Sequence, residues 1–536
     1  MAVESKGAGA AGIVIITAIF AAAAAWPVPD INEAVYLTKA RHFSDPAWGS
    51  GDFFLETPAA HGVFYALFGP LTAGLPLEQA AWIGRGLGWI ALAAGFWYAV
   101  VPLVRTFGGR LIAAAVFSLA LRQTTMAGEW VLGGCEAKVF SWALVLAALG
   151  AVGRGRFAMG WLLAGGATAL HPIVGGWSMV AVAVAGSLSR DRDRAPFKPS
   201  VGTLGLVLGL VIGGGLLAAL GVVPSLGLSA DVDAAERIAA TRSYVVERLS
   251  HHLLPRTFSE PLVVRHVLTI VAWWLLGRLA PVGAARLRVD RFTLAAIAIS
   301  AGGWAIALLE PLAADPVFSL LRFYWFRLAD VIVPFSLAAN AAAILEDDAA
   351  CERVLPVRPA GLRAVVVLLL CADLAAQSRH WPLPGRADLT PRADAKVDAA
   401  AWADICDWVR RNTPADACFL TPRGAATFTW RTGRREVVSW KNSPQDARSL
   451  VEWRRRITDC FSHDDTLTGM EQSTMALGAE RLRLVADRYG AEFAIVPVDL
   501  LNAAGPDGSP PPWRPVHVND GYAVLRLEAL PATPKP

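Results

Sequence analysis

Asp30 and Glu33 stand three positions apart just after an uncharged apolar run, Ala10 to Trp26. On a helix leaving that run the two carboxylates would share one face. Carboxylates at a membrane surface suit proton abstraction or the holding of a cation. The stretch continues through Asp45, Asp52, Glu56 and His61, an acidic patch unlike an ordinary short connector. Side chains that could clamp phosphate oxygens recur further on: Lys138 after Glu136, Arg256 after His251-His252, and Arg322 and Arg327 within Leu321-Arg322-Phe323-Tyr324-Trp325-Phe326-Arg327. Glu129 and Glu136 flank Gly133-Gly134, where the backbone can turn tightly or approach a ligand. His171, in Leu170-His171-Pro172, falls at a turn between two apolar runs and could hydrogen-bond a phosphate or a sugar.

Each of these residues also has a purely structural reading. Glu129 and Glu136 can pair with Lys138, Arg322 and Arg327 can snorkel or pair with Asp315 or Asp330, and His171 can be a satisfied turn histidine. The spacing of Asp52, Glu56 and His61 matches no metal motif, and solvated loop charges are their ordinary state. Arg434-Arg435 and Arg454-Arg455-Arg456 read as solvated faces that could also meet anionic lipid heads. The six cysteines form no metal-type spacing; Cys406, Cys418 and Cys460 could supply one disulfide if exported, and inert buried thiols are the alternative. Neither a Walker loop nor a Gly-x-Gly-x-x-Gly after a strand stands out, so no soluble nucleotide is indicated.

The elements that must position these groups are membrane helices. Hydrophobic residues make up 54% of the chain and charged residues 18%, which places it among polytopic membrane proteins. A net charge of +4 with the basic residues in short loops carries no nucleic-acid footprint. Apolar runs lie near 10–26, 81–104, 111–121, 137–152, 157–170, 172–188, 203–222, 262–281, 292–311, 319–345 and 361–377, about eleven transmembrane helices. Arg85 is the main charge inside such a run. Alternate loops carry the basic residues: Arg105 and Arg110, Arg154 and Arg156, Arg190 to Lys198, Arg286 to Arg291, and Arg353 to Arg363. The positive-inside rule makes these cytoplasmic and the opposite loops, with Asp30, Glu33, Glu129, Glu136, His171 and everything after about 380, outward-facing. The segment 62–75 is apolar, short and contains Pro70, and reads as an interfacial or re-entrant helix. Ala23-Ala24-Ala25 also fits a signal cleavage site, which would leave Asp30 exported all the same. Tryptophans 26, 82, 130, 161, 177 and 304 flank apolar segments, as interfacial anchors do.

The domain plan is therefore a polytopic α-helical part, 1–380, with an exported first loop at 27–80, a linker at 381–400 and a small extracytoplasmic α/β domain at 401–536. In that domain Trp402, Ile405, Trp408 and Val409 recur at helical spacing until Asn412-Thr413-Pro414. Residues 417–420, 436–440 and 493–496 read as strands, and 450–457 and 481–489 as helices, the last closed by Gly490.

This plan resembles the GT-C superfamily of integral membrane glycosyltransferases, whose first span precedes an exported acidic motif of the Asp-Glu-x-x-Tyr/Phe kind. Asn32-Glu33-Ala34-Val35-Tyr36 matches at the Glu and the aromatic, with Asn32 where an Asp is common. The tail pattern, Trp402 to Trp408, Asn412-Thr413-Pro414 and Val451-Glu452-Trp453-Arg454, also looks like the tails of bacterial members. The resemblance implies transfer of a sugar from a polyprenyl-phosphate carrier to an extracytoplasmic acceptor, with Glu33, or Asp30 in its place, as the base. Substrate contacts would come from Tyr36, Asp52, His61, Glu129, Glu136, Lys138, His171, Arg256, Arg322 and Arg327. A divalent cation, Mg or Mn, is an open cofactor. Composition rich in Ala, Gly and Arg suggests a bacterial inner membrane with an exported tail. Two other readings stand beside it: a transporter or flippase of a lipid-linked or polar substrate, and a non-catalytic envelope scaffold.

Overall fold

The computed structural model describes residues 6–189, 201–354, 358–383, 385–386, 389–501 and 513–527. The basic loop Arg190 to Lys198 lies outside the described residues, as does part of the 381–400 linker.

The first part is helical: α1 Lys6–Ala24, α2 Glu33–Ser44, α3 Gly62–Gly74, α4 Leu77–Val100, α5 Phe107–Thr124, α6 Ala137–Gly153, α7 Phe157–Leu170, α8 Pro172–Leu188, α9 Val201–Gly227 and α10 Ala234–Arg242. A π-helical turn, Ser243–Arg248, leads into α11 Ser250–Leu253, α12 Glu260–Leu279, α13 Ala284–Ala307, α14 Ala314–Leu321, α15 Arg327–Leu345, α16 Asp348–Val354 and α17 Pro359–Gln377. Among the described residues seven helices, α1, α4, α9, α12, α13, α15 and α17, are long and apolar enough to cross a bilayer, and α3, α6, α7 and α8 are shorter apolar helices. The measure of length and composition thus gives fewer than the expected eleven.

The bundle core is apolar and aromatic. Phe20 of α1, Phe96 of α4, Phe117 of α5 and Phe335 of α15 are fully buried and meet with ring centroids 5.3–6.2 Å apart. Small residues let other helices approach closely, as at membrane helix interfaces; a Cβ on Gly165 of α7 would collide with the backbone of Gly214 in α9. Leu204, Leu206, Leu208 and Leu216 of α9 and Leu368 and Leu369 of α17 are exposed, leaving outer faces that suit lipid.

The loops grouped by charge do share ends. At one end the Arg105 N–H donates to Glu346 (2.8 Å), Arg154 to the Tyr98 carbonyl (2.6 Å) and Arg288 to the Gly153 carbonyl (3.3 Å). At the other, Met126 N–H donates to Asp330 (2.7 Å) and Arg392 reaches Asp30 (3.3 Å). The run expected at 319–345 is instead two helices. Between α14 and α15 the chain turns through Tyr324, whose φ of 52° lies in the left-handed region. Tyr324 is held there by its hydroxyl against that of Tyr244 (2.8 Å) and by Arg327 over its ring (3.6 Å). The short helix α3, 13 residues and so about 20 Å long, packs along α2.

After the linker come α18 Ala399–Asn412, β1 Cys418–Leu420, α19 Phe428–Thr432, β2 Arg435–Glu436, α20 Ala447–Phe461, α21 Ala479–Tyr489, β3 Phe493–Pro497, β4 Pro515–Val518 and β5 Tyr522–Arg526. The strand order is β2-β1-β3-β5-β4, parallel among the first three and antiparallel at β5 and β4. Both faces of β3 are covered: Phe493 and Ile495 pack with Trp402, Ile405 and Val409 of α18, and Ala494 and Val496 with Trp453, Ile457 and Leu482 of α20 and α21. Burial on both sides explains its unbroken apolar sequence. Asp398 caps α18, and Gly490 at φ 65° ends α21 as expected. Of the expected strand at 436–440 only Glu436 is in a strand, β2 being Arg435–Glu436, and the hairpin β4–β5 lies outside the expected strands. All six cysteines are free.

One ion pair fastens the first loop to the bundle. Glu33, at the start of α2, is fully buried and pairs with Arg85, two turns into α4. Its Oε1 accepts from Arg85 Nε (2.9 Å) and the Cys135 N–H (2.7 Å), and its Oε2 from Arg85 Nη2 (2.7 Å) and the Asp30 N–H (3.0 Å). Gly134 lies so close that a Cβ there would sit 3.0 Å from the Glu33 carboxylate. Arg85→Met strands the Glu33 charge and is expected to cost roughly 3–5 kcal/mol, read as a lower thermal midpoint in detergent; an unchanged midpoint would show that the pair does not hold the fold.

Candidate functional site

A cavity of about 1150 Å³ opens where the first loop, the 125–138 segment, the π-helical turn, the α14–α15 break and the C-terminal domain meet. Its wall carries seven Lys and Arg (Lys39, Arg122, Lys138, Arg248, Arg322, Arg327 and Lys441) and four His (His61, His171, His251 and His252). Glu136 is the only carboxylate lining it among the described residues. Trp177 and Val180 of α8, Val222 and Leu226 of α9, Leu262 of α12 and Phe323 form an apolar flank. The whole is shaped for an anion with a hydrocarbon attached.

Seven of the expected site residues meet here: Tyr36, His61, Glu136, Lys138, His171, Arg322 and Arg327. Five do not line it, and the reasons are visible in their partners. Glu33 is filled by the four donors above. Asp30 accepts from Ile31 N–H (2.8 Å) and Gly134 N–H (3.1 Å) and pairs with Arg392. Asp52 accepts from Leu55 N–H (2.9 Å) and from Glu436 N–H of the C-terminal domain (3.0 Å). Glu129 stands behind the wall, accepting from Trp142 Nε1 (2.8 Å) and lying 3.0 Å from Arg327 Nε. Arg256 is half exposed and pairs with Glu310 at 3.2 Å. Arg327 thus has neither of the partners considered from sequence; Asp330 is taken by the Met126 and Ala127 N–H groups and Asp315 by Arg242.

The groups at the centre are linked. His61 Nδ1–H donates to the Leu170 carbonyl (3.2 Å), leaving Nε2 toward the Tyr36 hydroxyl (3.4 Å), and its ring lies 4.9 Å from that of His171. His171 Nε2 accepts from Arg327 (3.4 Å). Burial, with Arg327 and Lys39 nearby, pushes His61 down to about 4, and burial beside His61 and Arg327 holds His171 well below its usual range, so both rings are neutral at pH 7. Burial also lowers the Lys39 and Lys441 ammonium groups to about 7. Glu136 is raised by burial, against the pull of Lys138, whose Nζ is 3.3 Å from its Oε2.

Several lining residues escaped the sequence reading. Lys441 belongs to a loop of the C-terminal domain and reaches Asn32, 409 positions earlier, a pairing that no local pattern encodes. Lys39 follows Tyr36 by three positions on α2, so shared helix face was an available signal. Arg248 and Tyr244 lie in the π-helical turn, a form that recurs at functional sites. Trp26 and Trp130, read as lipid anchors, instead sandwich Arg392 at 5.1 and 4.9 Å.

Residues 400–460 match a family described as a domain of unknown function (DUF6798). No curated protein matches the chain by sequence. Among solved structures the chain is similar to the oligosaccharyltransferase AglB from Archaeoglobus fulgidus, in complex with an inhibitory peptide and a dolichol-phosphate, at 12% identity and a TM-score of 0.40 over 92% of this chain and 69% of that one. It is also similar to ArnT from Cupriavidus metallidurans bound to undecaprenyl phosphate, at 14% identity and a TM-score of 0.36 over 99% of this chain and 100% of that one. At scores this low, the chain's own geometry is the basis for reading its function.

The donor set does not fit Mg or Mn. Hard dications take several oxygens, mainly carboxylates, and the cavity offers one, already beside an ammonium. Among the described residues no group of three or more His, Cys, Asp or Glu could hold a metal ion. Chelator-treated protein is expected to keep the same thermal midpoint when Mg or Mn is added back, since a ligand bound to the folded state would raise it; a rise with either ion would contradict this reading of the cavity.

Proposed function

We propose that this chain is a membrane glycosyltransferase that moves a sugar from a polyprenyl-phosphate carrier to an acceptor hydroxyl, with Glu136 as the base. The observation that carries the reading is the cavity wall: seven Lys and Arg side chains and, among the described residues, a single carboxylate, beside an apolar flank. The phosphate of the carrier would lie among the cations, and its isoprenoid chain would leave along Trp177, Val180, Val222, Leu226 and Leu262 toward lipid.

In the transfer, the acceptor oxygen attacks the anomeric carbon and the bond from that carbon to the phosphate oxygen breaks. The acceptor proton passes to Glu136, and the bonding pair leaves with the phosphate, which gains one negative charge. Arg322, Arg327 and Lys138 would stabilise that charge, as preorganised cations do in a water-poor site. Tyr36, His61 and His171 would contact the sugar or phosphate as neutral hydrogen-bonding groups. Glu33 and Asp30, in this reading, hold the first loop in place. The cavity end would face outward and the tail domain would be extracytoplasmic, because the arginine-bearing loops described above share the opposite end; the Ala-, Gly- and Arg-rich composition is what supports a bacterial inner membrane, and about eleven crossings require α5 to α8 to span it beside the seven long helices.

The test is transfer of labelled sugar from a panel of polyprenyl-phosphate-linked sugars by purified protein in nanodiscs. Glu136→Gln is expected to lower kcat by about 10²–10⁴, the usual worth of a general base, with donor binding retained. Transfer should rise with pH along a limb above the ordinary carboxylate range, because burial raises Glu136 and only its ionised form accepts the proton. Wild-type rates in Glu136→Gln would reject it as the base. No wild-type transfer across the panel would favour transport or scaffolding.

A further inference from the structure

Asn32 is the N-cap residue of α2, yet its side chain caps nothing. Asparagine at this position ordinarily accepts an N–H from the first turn. Here the amide is used across the cavity. Its Nδ2 donates to Glu136 Oε2 at 3.1 Å, and its Oδ1 accepts from Lys441 Nζ at 2.6 Å. The two contacts fix which way the amide points. Lys441 is brought there from the far unit by a built support: Arg248 of the π-helical turn donates to the Trp440 carbonyl (3.1 Å) and lies over the Trp440 ring (5.4 Å). Gln445, four residues on, accepts from the Ala60 N–H (2.7 Å).

Resting on the reading of Glu136 as base, we propose that Asn32 and Lys441 are positioning residues that form a relay from the C-terminal domain to the Glu136 carboxylate, orienting it and holding it ionised. Catalytic competence would then require the tail domain to be seated, since the ammonium at one end of the relay belongs to that domain. An aspartate at position 32 would set a second negative charge against Glu136, whereas the neutral amide can face both a cation and an anion at once. The charged and titratable groups around Glu136 are Lys138 on its own helix, Asp30 and Tyr36 from the first loop and α2, and Lys441 from the tail; Arg248 and Lys396 face Lys441. Lys138 and Lys441 draw the Glu136 carboxyl downward and Asp30 pushes it up. Removing the Lys441 charge therefore moves the Glu136 titration to higher pH.

The experiment is a pH titration of the Glu136 carboxyl by infrared difference spectroscopy on the full chain in nanodiscs, the band being identified by its loss in Glu136→Gln. Lys441→Met and Asn32→Asp are each expected to raise the midpoint by about one pH unit, the scale of one nearby charge. Lys441→Arg should restore the wild-type midpoint. In the transfer assay the acidic limb should shift by the same amount, with kcat reduced several-fold and KM held. An unmoved midpoint in both variants would overturn the relay even if Glu136→Gln abolished transfer. A shifted midpoint combined with normal transfer by Glu136→Gln would overturn the base assignment, and with it the catalytic meaning of the relay.

Discussion

The pairing of Glu33 with Arg85 fixes where the first loop, α4 and the approach to α6 meet. A guanidinium inside a membrane-length helix is costly unless it meets an anion, and Arg85 meets one in a bidentate contact, with two backbone N–H groups completing the carboxylate's shell. Because those N–H groups belong to Asp30 and Cys135, a single carboxylate joins α4, the start of α2 and the approach to α6. The turn at Gly133-Gly134 is pressed against the same carboxylate and against Asp30. Placing Glu136 at the cavity wall follows directly, since it is the residue next to Cys135.

The second consequence is a division of labour among the acidic groups. Carboxylates that look alike in the sequence end in different states because their neighbours differ. Glu33 and Asp30 are saturated by donors, Glu129 stands behind Arg327, and Asp52 joins the first loop to the strand-forming backbone of the tail. Of these five, only Glu136 lines the cavity. The cations show the reverse pattern and gather around one cavity from the first loop, the helical bundle and the tail. A volume with this excess of positive charge and one hydrocarbon-lined side draws phosphate-bearing amphiphiles and repels free dications.

Much of the frame was legible in the sequence. Loops sorted by arginine content share ends in the structure, and the tail's α18, α20 and α21 follow from apolar spacing and from Gly490. The cations Lys138, Arg322 and Arg327 were found by residue type and by position at helix ends. What local pattern could not supply was partnership. Nothing near Glu33 announces Arg85, although an arginine inside an apolar run was itself a demand for a buried acid. The break at Tyr324 was hidden because Phe323 to Phe326 is aromatic enough to continue an apolar run, while its conformation is set by Tyr244 and Trp177 from distant segments. Lys441 and Asn32 were invisible for the same reason, and β2 is too short for a strand signal.

The proposed function requires the cavity to seat a lipid-linked phosphate among its cations, beside Glu136. Cryo-electron microscopy of the full chain in nanodiscs with added undecaprenyl phosphate tests it most directly. Phosphate density is expected within hydrogen-bonding distance of at least two of Lys138, Arg322 and Arg327, with the isoprenoid chain along the α8–α9 flank. Phosphate density outside this cavity, or seated against Glu33 with the Arg85 pair opened, would contradict it.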